Sequence, residues 1–315
     1  MQGISAANSF EVVAMQWFDV WKHNKSDSTI QKAMRRMETD LFPHLGSKPI
    51  NDITAQFVFM VIRKIEARGA LDLAERVYQR CGQIFKYGFM NGLCEKNPLA
   101  GITPSDFLKP RARANQARVD AKELPQLLRK IDDYQGSELT RLAIQLMSHV
   151  FIRTTELINA KWSEIDLDAK EWRIPAERMK MRDPHIIGLS TQVVAILKRL
   201  KEITGGRELV FPSATKPRQS MSNNTILGAL KRMGYKGKMT GHGFRGVAST
   251  ILHEQGYPDE HIEIQLAHAP RNQVSASYNH AKYLSQRAQM MQDWSNYLDA
   301  VKQGGKVIPI KSKVA

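Results

Sequence analysis

Apolar residues recur every three or four positions through most of the chain, the spacing of helices that bury one face. Phe10, Val13, Ala14, Trp17 and Trp21 mark a first helix, with Ser9 placed as its N-cap. Ile30, Ala33, Met34, Met37 and Leu41 mark a second, which Ser28 would cap and which should close before Pro43; Lys32, Arg35 and Arg36 fall on its other face. A third helix is predicted over about 55–68, stopping at Gly69, and a fourth carries Ala74, Val77, Cys81, Ile84, Phe85 and Phe89. Asn97-Pro98, Gly101, Pro104 and Pro110 then break the pattern, and Lys109, Arg111, Arg113 and Arg118 make the following segment basic. These shifts predict a helical domain over 1–101, a basic linker over 102–120, a second domain over 121–301 and a basic flexible tail over 302–315.

The second half resumes with helical patterns at Leu124 to Ile131 and Leu139 to Val150. Trp172-Arg173-Ile174-Pro175 and His185-Ile186-Ile187-Gly188-Leu189 read as two short strands, joined by a turn containing Lys180, Arg182 and Asp183. Helical spacing returns near Thr191 and continues at Asn224 to Met233, Phe244 to Gln255, Glu260 to Ala267 and Leu284 to Val301. The expected fold class is mainly α, the second domain being α+β with a small antiparallel sheet.

Composition narrows the partners. The 315 residues include 46 Lys and Arg against 31 Asp and Glu, a formal charge of +15, which favours a polyanion over a small neutral ligand. No apolar run approaches 18 residues and no signal-like segment opens the chain, so a membrane is not expected and a soluble, cytoplasmic location is. Cys81 and Cys94, the two cysteines, sit in apolar surroundings that suit buried free thiols, not a disulfide framework or zinc cluster.

Several chemically loaded segments follow in order: Arg153-x-x-Glu156-Leu157 before Trp162, the turn lysine Lys180, His242-x-x-Arg245, Leu266-Ala267-His268, and Tyr278 in Ala276-Ser277-Tyr278-Asn279-His280. A phenol is only about one part in a thousand ionised at neutral pH, so a nucleophilic tyrosine needs cations and a proton acceptor nearby. This order resembles the tyrosine recombinases, and among them the integrases of prophages and genomic islands. The phrases Ile174-Pro175-Ala176-Glu177-Arg178-Met179-Lys180-Met181 and Ala276-Ser277-Tyr278-Asn279-His280-Ala281 carry the closest likeness. It extends from about residue 9 to 301 and implies a core-type DNA-binding domain followed by a catalytic domain.

The resemblance implies that Tyr278 attacks the scissile phosphate to form a 3′-phosphotyrosyl link, with no metal, ATP or other cofactor. Arg153 and Arg245 would grip nonbridging oxygens, because a guanidinium offers paired donors and a fixed charge. Lys180 would protonate the leaving 5′-oxygen, His242 and His268 would share the roles of base and phosphate donor, and Glu156 would orient a catalytic cation. Double-stranded DNA is the implied partner, clamped between the domains, with Lys32, Arg35, Arg36, Lys109, Arg111 and Arg113 as candidate contacts. Four protomers would meet at synapsis, with DNA-bending accessory proteins as possible helpers.

Two features depart from the family pattern. Such integrases carry an arm-site-binding domain before the core-binding helices, which here begin almost at Met1, so arm-site binding is not expected. The hairpin reads Met181-Arg182-Asp183-Pro184 and Ile187-Gly188-Leu189 where a further basic residue and a proline are usual, which predicts a loosened hairpin. Two alternatives remain: a type IB topoisomerase-like nicking and resealing enzyme, and an inactive DNA-binding prophage remnant. A recombinase using three metal-binding carboxylates would be separated from all of these by its dependence on magnesium.

Overall fold

The computed structural model describes residues 8–109, 117–179, 182–268 and 283–304. The chain divides into two compact units, Met1–Arg113 and Ala114–Ala315, each with its own apolar core.

The first unit is helical. Helix α1 (Phe10–Trp21) is capped by Ser9, whose side chain accepts from the Val12 amide, and it buries Phe10, Val13, Ala14, Trp17 and Phe18. Helix α2 (Asp27–Arg36) starts from Ser26, two residues earlier than the expected Ser28 cap. The chain does not stop before Pro43. It continues through wide π-type turns over Met37–Gly46 with Pro43 inside, the wider turn accommodating a residue that has no amide to donate. Helices α3 (Ala55–Ala67) and α4 (Leu71–Met90) complete the core, where Phe10 meets Phe85 at 5.6 Å between ring centroids. Cys81 and Cys94 are buried and free, and burial pushes the Cys81 thiol up to about 12. The chain after α4 stays on this unit: Tyr78 donates to the Ile102 carbonyl, Phe59 stacks on Phe107, and the Lys109 amide donates to Glu66.

In the second unit α5 (Leu124–Asp132) and α6 (Glu138–Val150) lead to Phe151, held at φ 35°, and then to the short α7 (Thr154–Ile158). A three-stranded antiparallel sheet follows, in the order β1 (Ile165–Asp166), β2 (Glu171–Ile174), β3 (His185–Gly188); the two-residue β1 lacks the alternation that reveals longer strands. Trp172 pairs with Ile187, both fully buried. Four helices carry the chain onward: α8 (Thr191–Thr204), α9 (Asn223–Arg232), α10 (Gly241–Glu254) and α11 (Asp259–Gln265). The last described element is α12 (Leu284–Lys302), which buries Met290, Met291, Trp294, Leu298 and Val301. Trp294 donates to the Ser148 carbonyl at 2.9 Å, and Ser295 links Ser190 at 2.7 Å to His149 at 3.0 Å. No described helix is long and apolar enough to cross a membrane.

Gly188 has a different reason from hairpin looseness. Helix α12 crosses β3 so closely that a Cβ at 188 would lie 2.8 Å from the Ala288 Cβ and 2.9 Å from its Cα. The tight packing accounts for glycine in place of proline at this position. Gly188→Ala should lower unfolding free energy by about 1–3 kcal/mol through overpacking, read from a urea melt, and Gly188→Pro should do no better.

Candidate functional site

The site forms around the C-terminal end of α11, where four consecutive residues each meet an arginine. The Gln265 side chain accepts from Arg287 at 3.0 Å, and the Leu266 carbonyl accepts from Arg245 at 2.6 Å. The Ala267 carbonyl accepts from Arg153 at 2.9 Å, and His268 Nε2 lies 3.2 Å from Arg245 Nη2. Carbonyls left without helical partners at a helix end are natural acceptors for cations. Ala267 adopts φ 48°, a left-handed conformation costly for a side chain bearing a Cβ.

Arg153 is the residue preceding α7. Its Nη1 donates to Glu156 Oε1 at 2.7 Å, and its own amide donates to Glu156 Oε2 at 3.0 Å. Glu156 is 2% exposed and Arg153 is 19% exposed, so the carboxylate is sealed beneath while the guanidinium keeps an open edge. The backbone end of the same short helix is held by Arg178, which donates to the Glu156 and Asn159 carbonyls and to the Glu164 carboxylate.

Arg245 is 3% exposed and lies in α10, whose first turn is capped by Thr240 through the Gly243 amide. A Cβ on Gly241 would fall 2.4 Å from Thr154 Oγ1, so glycine is what lets this helix start press against the residue following Arg153. Arg245 Nη1 also donates to the carbonyl of Phe151, the other left-handed residue at the site. Burial, and then the neighbouring Arg153, lower the Arg245 pKa to about 10, leaving it charged at neutral pH. His242 stands exposed in the same first turn. His268 Nδ1 lies 2.8 Å from Glu263 Oε2; because a guanidinium only donates, Nε2 is the acceptor from Arg245 and Nδ1 the donor to Glu263.

The structure therefore brings together Arg153, Glu156, Arg245 and His268, with His242 on the helix that carries Arg245. Lys180, Tyr278, Arg111 and Arg113 lie outside the described residues. Lys32, Arg35 and Lys109 are exposed and Arg36 is half-buried, all in the first unit.

Two further residues were not singled out from sequence. His185 opens β3 and is buried; burial first, then the charges of Arg287 and Arg245, depress its pKa to about 3. Arg287 is 1% exposed on α12 and also donates to the Ile186 carbonyl at 2.5 Å. A signal for Arg287 existed: it precedes Met290, Met291 and Trp294 by three, four and seven residues, which puts a charge on the apolar face.

A largely helical unit that gathers buried arginines beside an exposed edge presents fixed positive charge there. Family models match along most of the chain: the phage integrase central domain over residues 10–104 and the phage integrase family over residues 117–284. The prophage integrase IntA of Escherichia coli K12 is 37% identical over 307 residues, covering 98% of this chain and 74% of that protein. The integrase of Enterobacteria phage P4 is 36% identical over 311 residues, covering 94% and 70%. Among solved structures, a lambda integrase tetramer bound to a Holliday junction shares the fold at a TM-score of 0.67 and 18% identity, covering 89% of this chain and 80% of that one. The chain belongs to the phage integrase family and is a tyrosine site-specific recombinase.

Two outcomes test this geometry. Glu156→Ala leaves Arg153 beside an empty, sealed carboxylate position and should cost about 3 kcal/mol in a denaturant melt, the lower end for breaking buried pairs because Arg153 is partly exposed. His185 (about 3) and His149 (about 4) have folded pKa values below the unfolded value near 6.5, so the unfolded state binds more protons in between. Their contribution is fully present above pH about 6.5 and is lost as pH falls toward 3; His185→Leu should flatten that acid limb in urea midpoints measured against pH.

Proposed function

We propose that this chain cuts and rejoins double-stranded DNA at attachment-site core sequences to integrate or excise a mobile element, with Tyr278 as nucleophile. The observation that carries the reading is the convergence of Arg153, Arg245 and His268 on residues 266–268, directly upstream of the segment that contains Tyr278.

In this reading the open edge of Arg153, with the buried charge of Arg245 behind it, receives the nonbridging oxygens, and Glu156 and His268 fix the two guanidinium planes. Preorganised donors of this kind contribute on the order of 3–4 kcal/mol each to a developing oxyanion. The Tyr278 Oη forms the bond to phosphorus as the bond to the 5′-oxygen breaks. The phenolic proton passes to an acceptor, for which exposed His242 is the candidate, and Lys180 supplies a proton to the departing 5′-oxygen. His268 Nε2 accepts from Arg245, so it steers that arginine and donates to phosphate only if this bond is exchanged. The 3′-phosphotyrosyl link keeps the diester's free energy, and a second 5′-hydroxyl reverses the step without ATP.

Relatives described as integrases, and a related fold in a tetramer on a Holliday junction, support DNA as partner and a four-protomer synapse. The +15 charge supports a largely electrostatic grip that weakens steeply with salt, in which Lys32, Arg35, Arg36, Lys109, Arg111 and Arg113 are the proposed contacts. DNA-bending accessory proteins and action in the cytoplasm belong to the same proposal.

Trapping on a nicked suicide duplex carrying a candidate attachment site, in EDTA, tests the chemistry. Wild type and Tyr283→Phe should form a covalent protein–DNA adduct and Tyr278→Phe none. An adduct that survives Tyr278→Phe, or strict dependence on magnesium, would overturn the reading.

A further inference from the structure

Arg287 is a buried guanidinium that pairs with no carboxylate among the described residues. Its Nη2 bridges the Ile186 carbonyl on β3 and the Gln265 side chain at the end of α11, while Nε and Nη1 are buried without a hydrogen-bond partner among the described residues. Arg245 Nε and Gln265 Nε2 are likewise buried and unpartnered. The same few residues therefore hold three cations, Arg153, Arg245 and Arg287, against one sealed carboxylate, Glu156, with Glu263 half-exposed beyond His268. A buried ion without a counter-ion ordinarily destabilises a fold, and an apolar side chain of similar length would fill the position at lower desolvation cost. Burial lowers the Arg287 pKa to about 10, which still leaves it a cation at neutral pH.

Its attachment points explain the placement. Gln265 immediately precedes Leu266 and Ala267, whose carbonyls hold Arg245 and Arg153, so Arg287 fixes the segment on which both depend. Its charge adds to theirs in a region where few solvent dipoles screen it.

We propose that Arg287 is a positioning residue for the phosphate-binding arginines: through Gln265 it sets where Arg245 and Arg153 point, and its uncompensated charge makes the pair a stronger receptor for an anionic phosphate. This rests on the assignment of Arg153 and Arg245 as the phosphate cradle. The charge that is unbalanced in the free protein is balanced when DNA supplies the phosphate.

The test compares cleavage of two nicked suicide duplexes that are identical except at the scissile position, one a phosphodiester and one a methylphosphonate, which lacks the negative charge. Arg287→Met should slow cleavage of the phosphodiester roughly ten- to hundredfold, the range for removing groups that stand behind an ion's direct ligands. On the methylphosphonate the defect should shrink to within about threefold, a residue of imperfect positioning, and the melting temperature should not fall. Arg287→Lys, which keeps the charge without the fork, should retain the wild-type ratio between the two substrates. If Arg287→Met does not fold, Arg287→Gln takes its place and must show the same ratio.

Wild-type cleavage by the neutral variant, or an equal loss on both substrates, would overturn the inference, the second outcome marking simple packing damage. Arg245→Ala separates the two levels. Relief of its defect on methylphosphonate without relief for Arg287→Met removes only the role of Arg287, whereas no relief for Arg245→Ala removes the cradle reading and this inference with it.

Discussion

The second unit depends on how a helix end accommodates arginines. Leu266 and Ala267 turn their carbonyls toward Arg245 and Arg153, and Ala267 reaches that orientation only by entering the left-handed region. Phe151 does the same at the end of α6, and its carbonyl takes the second arm of Arg245. Each such residue costs on the order of 1–2 kcal/mol in backbone energy. The buried hydrogen bonds to charged groups offset that cost, and the strain sits at the candidate site, as backbone strain commonly does at functional sites.

A cradle built on backbone carbonyls has a different character from one built on ion pairs. Carbonyls orient a guanidinium without neutralising it, so the charge remains available to a substrate anion. Glu156 is the exception, and it is sealed under Arg153, on the side away from the exposed edge. Arg178 ties α7 to the segment leading into the β2–β3 connection, so that Glu156 and the hairpin root are parts of one hydrogen-bonded frame.

Much of this was legible in the sequence, for reasons that differ by element. The long helices announced themselves because their apolar residues keep a 3.6-residue period, and Ser9 capped α1 as its side chain allows. Pro43 misled because proline ends an α-helix but fits within wider turns. Helix α10 begins at Gly241, three residues before the apolar series at Phe244, because Thr240 caps it, and this brings His242 into a helical first turn. Arg153, Glu156, Arg245 and His268 were visible as a motif, whereas their geometry was not: Ala267 and Phe151 act through their carbonyls, which every residue possesses and no residue type signals. Gly188 looked permissive and is sterically required, a fact that belongs to Ala288, a hundred residues away.

Helix α12 places Trp294 against Ser148 and Ser295 against His149, contacts that span 146 positions of chain. During synthesis, at roughly 5–20 residues per second, Arg153 and Arg245 leave the ribosome well before their supporting helix does. The apolar faces of β3 and α6 must wait for it, and so must the seat of Arg245. A nascent or truncated chain thus carries the cationic residues without the finished core that holds them in place.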